Sequence, residues 1–590
     1  MSHCMTPCRG GGTTRAAALT AAAPALLTAA LLTALLPGVA EASAPPKAPA
    51  KPSAGEAAAK AKEFADKAKA AADAAAKTLT DAEKAAKDAA DTDALLAATA
   101  AASTVKAKAD EAAAKSKEAA EKLKDAEAAG KAGDLPKAVE AALAAKDAAE
   151  AAEAAATAAA EVLTPPLPAI DKGDMAWMLM STALVMLMVP GLALFYAGMV
   201  RGKNVLGTMM HSMVALAIIG VEWVVIGYAM AFGPTHLPVY GSAGLVGWRS
   251  EFFLMSGVKP ADLSGAEFGG FAASIPVLVH MLFQGKFAII TPALISGAIA
   301  ERVKFSGYCI FIALWGLLIY NPLAHWVWGN GILGMDGVKA MDFAGGTVVH
   351  LSAGVSALAC ILLMPKRRLD PKNNPPLPNS LILTLLGAGL LWFGWFGFNA
   401  GSALATIDQA GQAFATTQTA AAAAGLAWMV LEWVHRGKPT SLGLASGIVA
   451  GLVGITPAAG FVSVTGALII GFAAAGVCYL FVTLKPLIGY DDTLDVVGVH
   501  GVGGLVGALL TGVLFTNVPA FCQIDGADPS ILTQLTRQII AVGVAGAFAF
   551  AVTCVLVLAL QSTIGFRLSE EEEERGLDIT QHGESGYHLH

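Results

Sequence analysis

Charge is scarce in this 590-residue sequence: 14% of its residues are Asp, Glu, Lys or Arg, against 55% that are hydrophobic, and the mean hydropathy is +0.59. A soluble domain needs a charged surface, so the shortage argues against one and favours a chain that crosses a membrane many times. The net charge of −7 hides a segregation. Most lysines and acids lie before residue 164 or near the C-terminus, and the stretch between them is apolar and rich in Gly and Trp. No basic patch with interleaved aromatics occurs, so nothing points to nucleic acid as a partner. Cysteine is sparse too, with seven residues and no Cys-x-x-Cys pair. Cys4 and Cys8 fall in a leader-like start, and the odd number left argues against a disulfide framework or a zinc site. Cys522 falls in a loop; Cys309, Cys360, Cys478 and Cys554 sit in apolar runs and read as small packing residues.

Bulky apolar residues are the shortage of residues 45–163, where Phe64, Leu79, Leu95, Leu96, Leu123 and Leu143 are among the few. Ala, Lys, Glu and Asp dominate there, a composition that predicts two or three long helices with breaks near Asp91-Thr92-Asp93 and from Gly130 to Pro136. A tight core is not expected; a loose bundle, a solvated helix and a disordered spacer all remain open. No motif in it carries chemistry, and a passive spacer is preferred over a cell-wall or partner contact. Pro165-Pro166-Leu167-Pro168 reads as a stiff linker. Residues 1–44 read as a secretory signal: Arg9 and Arg15, the apolar stretch Leu26 to Leu36, then small residues at Ala42-Ser43-Ala44. The expected divisions are therefore 1–44, 45–168, a membrane domain at 169–566 and a tail at 567–590.

Residues 174–566 hold eleven apolar stretches near the length a bilayer demands. They lie at 174–199, 207–232, 271–298, 303–321, 343–364, 380–401, 412–434, 441–456, 461–484, 495–515 and 536–564. The expected fold is an all-α polytopic membrane protein. With the N-terminus outside, the loops and tail on the inner side hold 13 Lys and Arg and the outer flanks hold 5. That bias satisfies the positive-inside rule and puts the C-terminus in the cytoplasm.

Ionisable groups at bilayer depth are costly and usually functional, so the few present are informative. His350 follows Gly345-Gly346-Thr347-Val348-Val349 on the fifth stretch, and His500 follows Val497-Gly498-Val499 on the tenth. Glycines let helices approach closely, so the two imidazoles could meet near the midplane. Such a pair in an apolar tube offers hydrogen bonds to a small neutral molecule; two buried histidines bonded to backbone is the equal alternative. Each ends a five-helix half, which suggests inverted repeats with a site between them. A metal site is disfavoured, because Asp342 is eight residues from His350, roughly 12 Å along a helix; its default role is to cap the helix. Phe283 and Phe287 share a helix face. With Trp328, Trp395, Phe398 and the Ser402 hydroxyl they could cradle a small cation, or they form an interfacial aromatic belt.

Longer strings carry a resemblance. Ala193-Leu194-Phe195-Tyr196 through Arg201-Gly202-Lys203-Asn204, Phe283-Gln284 with Phe287-Ala288, Asp342-Phe343-Ala344-Gly345-Gly346-Thr347-Val348-Val349-His350, Gly394-Trp395-Phe396-Gly397-Phe398-Asn399-Ala400-Gly401-Ser402, Asp495 to Gly501, and the tail from Glu570 to Glu584 resemble the Amt/Rh ammonium transporter family over about residues 174–587. The resemblance implies a homotrimer of eleven-helix subunits in the cytoplasmic (inner) membrane, each with its own pore, with ammonium or ammonia as substrate, membrane lipid as surroundings and no cofactor. It implies that Trp328, Ser402, Phe287 and Phe283 recruit ammonium, that Phe287 and Phe398 are gate rings, and that His350 and His500 line the pore. Asp342 and Trp395 would support the site from behind. The tail implies regulation by a PII-type signal protein. Glu222 and Lys286 depart from the pattern, being charged where the family is usually neutral; they are expected to pair between neighbouring helices, with Lys286 snorkelling into a wet vestibule as the alternative.

Overall fold

The computed structural model describes residues 53–87, 92–163, 170–264, 272–368, 377–524 and 526–587; the expected secretory signal lies outside them. The chain divides into two compact units, Met1–Pro165 and Pro166–His590.

The first unit is a bundle of three helices, α1 (Ala54–Lys87), α2 (Thr92–Ala132) and α3 (Leu135–Leu163). Gly133, in the left-handed region at φ 72°, makes the turn between the last two, and Pro136 sits in the first turn of α3, where its missing N–H costs nothing. The core is more continuous than the shortage of bulky residues suggests. Ala61, Ala68 and Ala75 on α1, Val105, Ala112, Ala119 and Ala126 on α2, and Ala138, Ala145, Ala152 and Ala159 on α3 are all fully buried. On each helix they recur every seven residues, the period of a bundle seam. Alanine loses no side-chain entropy on burial and lets helices approach closely, so a regular repeat of a small residue replaces the large residues that are missing. Phe64, Leu79 and Leu123 are partly buried against it, while Leu143 stays 57% exposed.

The second unit is helical and apolar. Among the described residues, ten helices are long and apolar enough to cross a membrane: α4 (Lys172–Met199), α5 (Gly202–Phe232), α6 (Val277–Ile295), α7 (Phe305–Trp328), α8 (Gly346–Leu363), α9 (Leu381–Ala403), α10 (Asp408–Arg436), α12 (Val464–Ile488), α13 (Val497–Leu514) and α14 (Ile531–Thr563). Between α10 and α12 lies α11 (Ser441–Ile455), an apolar helix of 15 residues. Several boundaries differ from the hydropathy reading, and two of them have a local cause. The third stretch begins later, because Ala272–Pro276 is extended and the helix starts only beyond Pro276. The fourth runs on to Trp328, because Pro322 falls at the start of its last segment, where a proline is tolerated. Side-chain oxygens of Asp171, Ser380, Thr440, Ser463 and Ser530 cap helix starts.

Two features of α8 and α13 position the site. Both open with a π-helical turn, Gly346–Leu351 and Val497–Gly501, and each turn contains one of the two histidines; such turns are rare and concentrate at functional sites. The helices also cross in near backbone contact. A Cβ added at Gly354 would lie 2.2 Å from Gly501 Cα, and one at Gly504 would lie 2.8 Å from the Gly346 carbonyl oxygen.

Candidate functional site

At the end of the bundle where α7 and α9 finish, a cavity of about 270 Å³ is lined by Phe287, Trp328, Asp342 and Ser402, and also by His280 and Gln284. The Ser402 hydroxyl donates to the Phe398 carbonyl at 2.8 Å, which leaves its oxygen lone pairs to accept from a donor in the cavity. The Trp328 indole N–H donates to the Asp342 carbonyl at 2.9 Å. The Asp342 carboxylate accepts the backbone N–H groups of Gly345, Gly346, Thr347 and Val348 at 2.6 to 3.1 Å. It thus caps α8 with both oxygens and fixes the turn that carries His350.

The floor of the cavity is aromatic. Phe287 and Phe398 stack with centroids 4.1 Å apart and planes at 29°. Trp328 meets Phe287 edge-on at 6.0 Å, and Phe283 meets Phe287 in the same manner at 5.0 Å. Both Phe287 and Phe398 are only 1% exposed. These residues therefore form one cluster around the cavity floor and not a belt spread around the rim.

Below the rings the two histidines meet. His350 and His500 face each other with Nδ1 atoms 3.3 Å apart and near-parallel rings at 5.3 Å. One Nδ1–H must donate to the other Nδ1, so the pair shares a single hydrogen bond and the remaining ring nitrogens face elsewhere. His350 Nε2 is buried with no partner among the described residues. Beside it is a cavity of about 10 Å³, lined by both histidines and otherwise by apolar side chains, Leu192, Leu294 and Phe398 among them; that is about the room one water-sized molecule needs. Trp395 stacks on His350 at 5.4 Å and is held by donation from its indole N–H to the Thr456 hydroxyl at 2.9 Å. Trp328, Asp342, Ser402 and Phe287 thus line the larger cavity, Phe283 packs against Phe287 without lining it, and Phe398 and Trp395 line the small cavity with the two histidines.

Sequence reasoning passed over His280. Its Nδ1 lies 3.0 Å from the Tyr228 hydroxyl, and its Nε2 lies 3.5 Å from the Gln284 amide nitrogen. The signal was available, since a titratable residue four positions before Gln284 falls on the same helix face. The expected pairing of Glu222 with Lys286 is not formed. Glu222 instead accepts from the Asn321 side-chain amide at 2.6 Å, and its other oxygen lies 3.6 Å from where a Cβ at Gly316 would sit. Depths within a turn or two on neighbouring helices were the basis of that expectation, but Glu222 faces α7, and Lys286 is half-buried with no ion-pair partner among the described residues.

At the opposite end, charges that lie beyond the spans form a connected set. Glu301 bridges Arg201 at 2.9 Å and Arg367 at 3.3 Å; Asp491 bridges Arg367 at 2.8 Å and Arg302 at 3.0 Å. Burial opposes ionisation of Asp491, but the two guanidinium groups prevail and hold its carboxyl down to about 2. The tail docks here: Glu573 accepts from the Arg368 N–H at 2.8 Å, the Leu577 N–H reaches Asn204 at 2.9 Å, and Asp578 accepts from the Gly207 N–H at 2.8 Å.

Residues 176–587 match the model of the Ammonium Transporter Family. The chain belongs to that family. It is 44% identical over 418 residues to an ammonium transporter of Bacillus subtilis, spanning 70% of this chain and 98% of the relative. It is 45% identical over 427 residues to one from Aquifex aeolicus, spanning 71% and 94%. The crystal structure of Saccharomyces cerevisiae Mep2 superimposes with a TM-score of 0.61 at 36% identity, over 68% of this chain and 90% of that one. A structure described as a sensor Amt protein superimposes at 0.62 with 27% identity, over 70% and 98%. This is therefore a multi-pass membrane protein of an ammonium-transporting family, and the alanine-rich bundle lies outside the matched region.

Proposed function

We propose that the chain moves ammonium across the cytoplasmic membrane by recruiting NH4+ in the outer cavity, removing its proton and passing NH3 beyond the histidines. The supporting observation is the order of chemistries along one axis: an acceptor-bearing aromatic cavity, a stacked ring pair, then an imidazole pair in an apolar pocket for one small molecule. NH4+ has only donors. The Ser402 oxygen and the faces of Trp328 and Phe287 replace part of its water shell, with Phe283 backing Phe287. The rings of Phe287 and Phe398 then present an apolar barrier that penalises charge, and desolvation favours the deprotonated form, as it does for a buried lysine, with the proton passing to solvent water on the cavity side. NH3 can accept from one imidazole N–H and donate to the unpaired nitrogen of the other. K+ has no proton to lose and stalls at the rings.

The same reading carries the rest of the architecture. The α11 helix counts as an eighth crossing, giving eleven, with α4–α8 and α9–α13 as inverted five-helix halves and a homotrimer as the assembly. The basic bias of the tail-side loops supports an N-terminus outside and a C-terminus in the cytoplasm, after a cleaved signal at 1–44. The docked tail offers a PII-type signal protein a surface at the cytoplasmic mouth. A sensor that conducts little is the second reading, favoured by the neighbour of that description. Proteoliposomes separate the two readings: ammonium pulses should drive current or internal pH change in the wild type, and His350→Ala/His500→Ala should abolish the flux or alter its selectivity. A well-folded wild type without flux refutes the transport reading.

A further inference from the structure

We infer that Glu222, Asn321 and Tyr320 form a binding site for one monovalent cation between α5 and α7, apart from the two cavities. None of the three lines either cavity. Glu222 lies well inside α5, about 15 Å along the helix from its Phe232 end, and no Lys, Arg or His pairs with it among the described residues. A carboxylate at that depth is costly without a counter-ion. Its Oε1 accepts from the Asn321 amide at 2.6 Å. Its Oε2, the Asn321 Oδ1 and the Tyr320 hydroxyl are all buried and have no partner among the described residues. Asn321 and Tyr320 are fully buried residues, so no solvent serves these atoms in place of a partner.

The backbone is opened at the same place. Glu222 directly precedes a π-helical turn on α5, Trp223–Gly227, and Asn321 directly follows one on α7, Gly316–Tyr320. Such a turn inserts a residue into the helical ladder and leaves a carbonyl short of its usual N–H. Glycines border both open oxygens: a Cβ at Gly316 would lie 3.6 Å from Glu222 Oε2, and one at Gly227 would lie 3.2 Å from Asn321 Oδ1. Carboxylate, amide carbonyl, phenol and backbone carbonyl are all oxygen donors, the set that suits a hard cation, and interrupted helices at bilayer depth hold such ions in membrane proteins. Charge fixes the valence. One carboxylate and one monovalent ion leave the site neutral, whereas a divalent ion leaves a net charge in hydrocarbon. Tyr320 feels the charge of both Glu222 and Asp342, so filling the site changes the field near the carboxylate that caps α8.

The inference needs only that α5 and α7 span a membrane, so its test reads binding and not flux. Full-length protein in mild detergent, with choline as the background cation, is titrated separately with Na+, K+ and NH4+. The thermal midpoint is followed, and bound radioactive Na+ is counted with the other two as competitors. At least one of the three should raise the wild-type midpoint saturably, and the strongest names the occupant. Glu222→Gln keeps the shape and can pair amide to amide with Asn321, so it should fold and lose that response. Tyr320→Phe removes one oxygen alone and should weaken the response about tenfold in concentration; it gives an independent reading if Glu222→Gln is poorly expressed. Responses to all three cations that are the same in wild type and both variants overturn the inference. So does an infrared band of a protonated carboxyl that Glu222→Gln removes and no cation alters, because a proton then holds the place assigned to the ion.

Discussion

Gly354 and Gly501 face each other where α8 crosses α13, yet the geometry predicts that they are not equivalent. A Cβ at Gly354 would lie 2.2 Å from both the Cα and the N of Gly501, whereas a Cβ at Gly501 would meet nothing closer than 3.4 Å. Ordinary contact begins near 3.4 Å, so Gly354→Ala requires the helices to part by roughly 1 Å, and Gly501→Ala requires almost nothing. The histidine nitrogens are 3.3 Å apart, so a separation of that size breaks their hydrogen bond. Overpacking typically costs about 1–3 kcal/mol, and the lost bond costs about 1 kcal/mol more. Gly501→Ala should stay within about 1 kcal/mol of wild type, helped by alanine's helix propensity. The control is Gly476→Ala, where an added Cβ meets nothing within 4 Å. Thermal midpoints of the purified variants and ammonium-evoked pH change in liposomes read both consequences. Gly354→Ala should lose stability and most of its flux, and the other two should resemble wild type. Equal damage from the two facing glycines, or greater damage from Gly501→Ala, would refute the reasoning.

Lys286→Met should leave the thermal midpoint unchanged or raise it, because a half-buried ammonium without an ion pair is replaced by an apolar chain of similar length; a drop of several degrees would reveal a hidden partner. Asp491→Asn should destabilise the protein at neutral pH. Because the native carboxyl titrates near 2, below its ordinary value, its contribution is complete above about pH 4 and disappears as pH falls towards 2; the gap between variant and wild type should narrow over that window, and a constant gap in midpoints measured from pH 7 to 3 would contradict the assignment. Ala145→Leu places a large side chain in the fully buried seam of the alanine bundle and should cost about 1–3 kcal/mol there, read as faster proteolysis of residues 54–163 in the full-length protein with unchanged flux.

Much of the membrane unit was legible because its signals are local. Length and apolarity located the helices, and the largest boundary errors fell at Pro276 and Pro322, where backbone chemistry and not hydropathy sets the boundary. The histidine pair was legible as a possibility, since glycine-flanked ionisable residues on two apolar helices have few roles. That their rings meet depends on which glycine faces which, and this is a property of the crossing. The Glu222 and Lys286 expectation failed for the same reason: sequence gives depth along a helix more readily than azimuth. The alanine bundle was underestimated because counting large apolar residues overlooks a seven-residue repeat of a small one. His280 was missed because its partner Tyr228 comes beside it only once α5 and α6 are side by side.

The stacked rings and the small pocket beneath them have a consequence for traffic. With Phe287 and Phe398 in contact there is no standing aperture, and the space beyond holds one small molecule. If transport follows the proposed route, passage is a queue served one molecule at a time, and the opening of the rings sets the tempo. Such a device saturates as the supply rises, and a slightly larger amine such as methylammonium slows the line by lingering in the single seat.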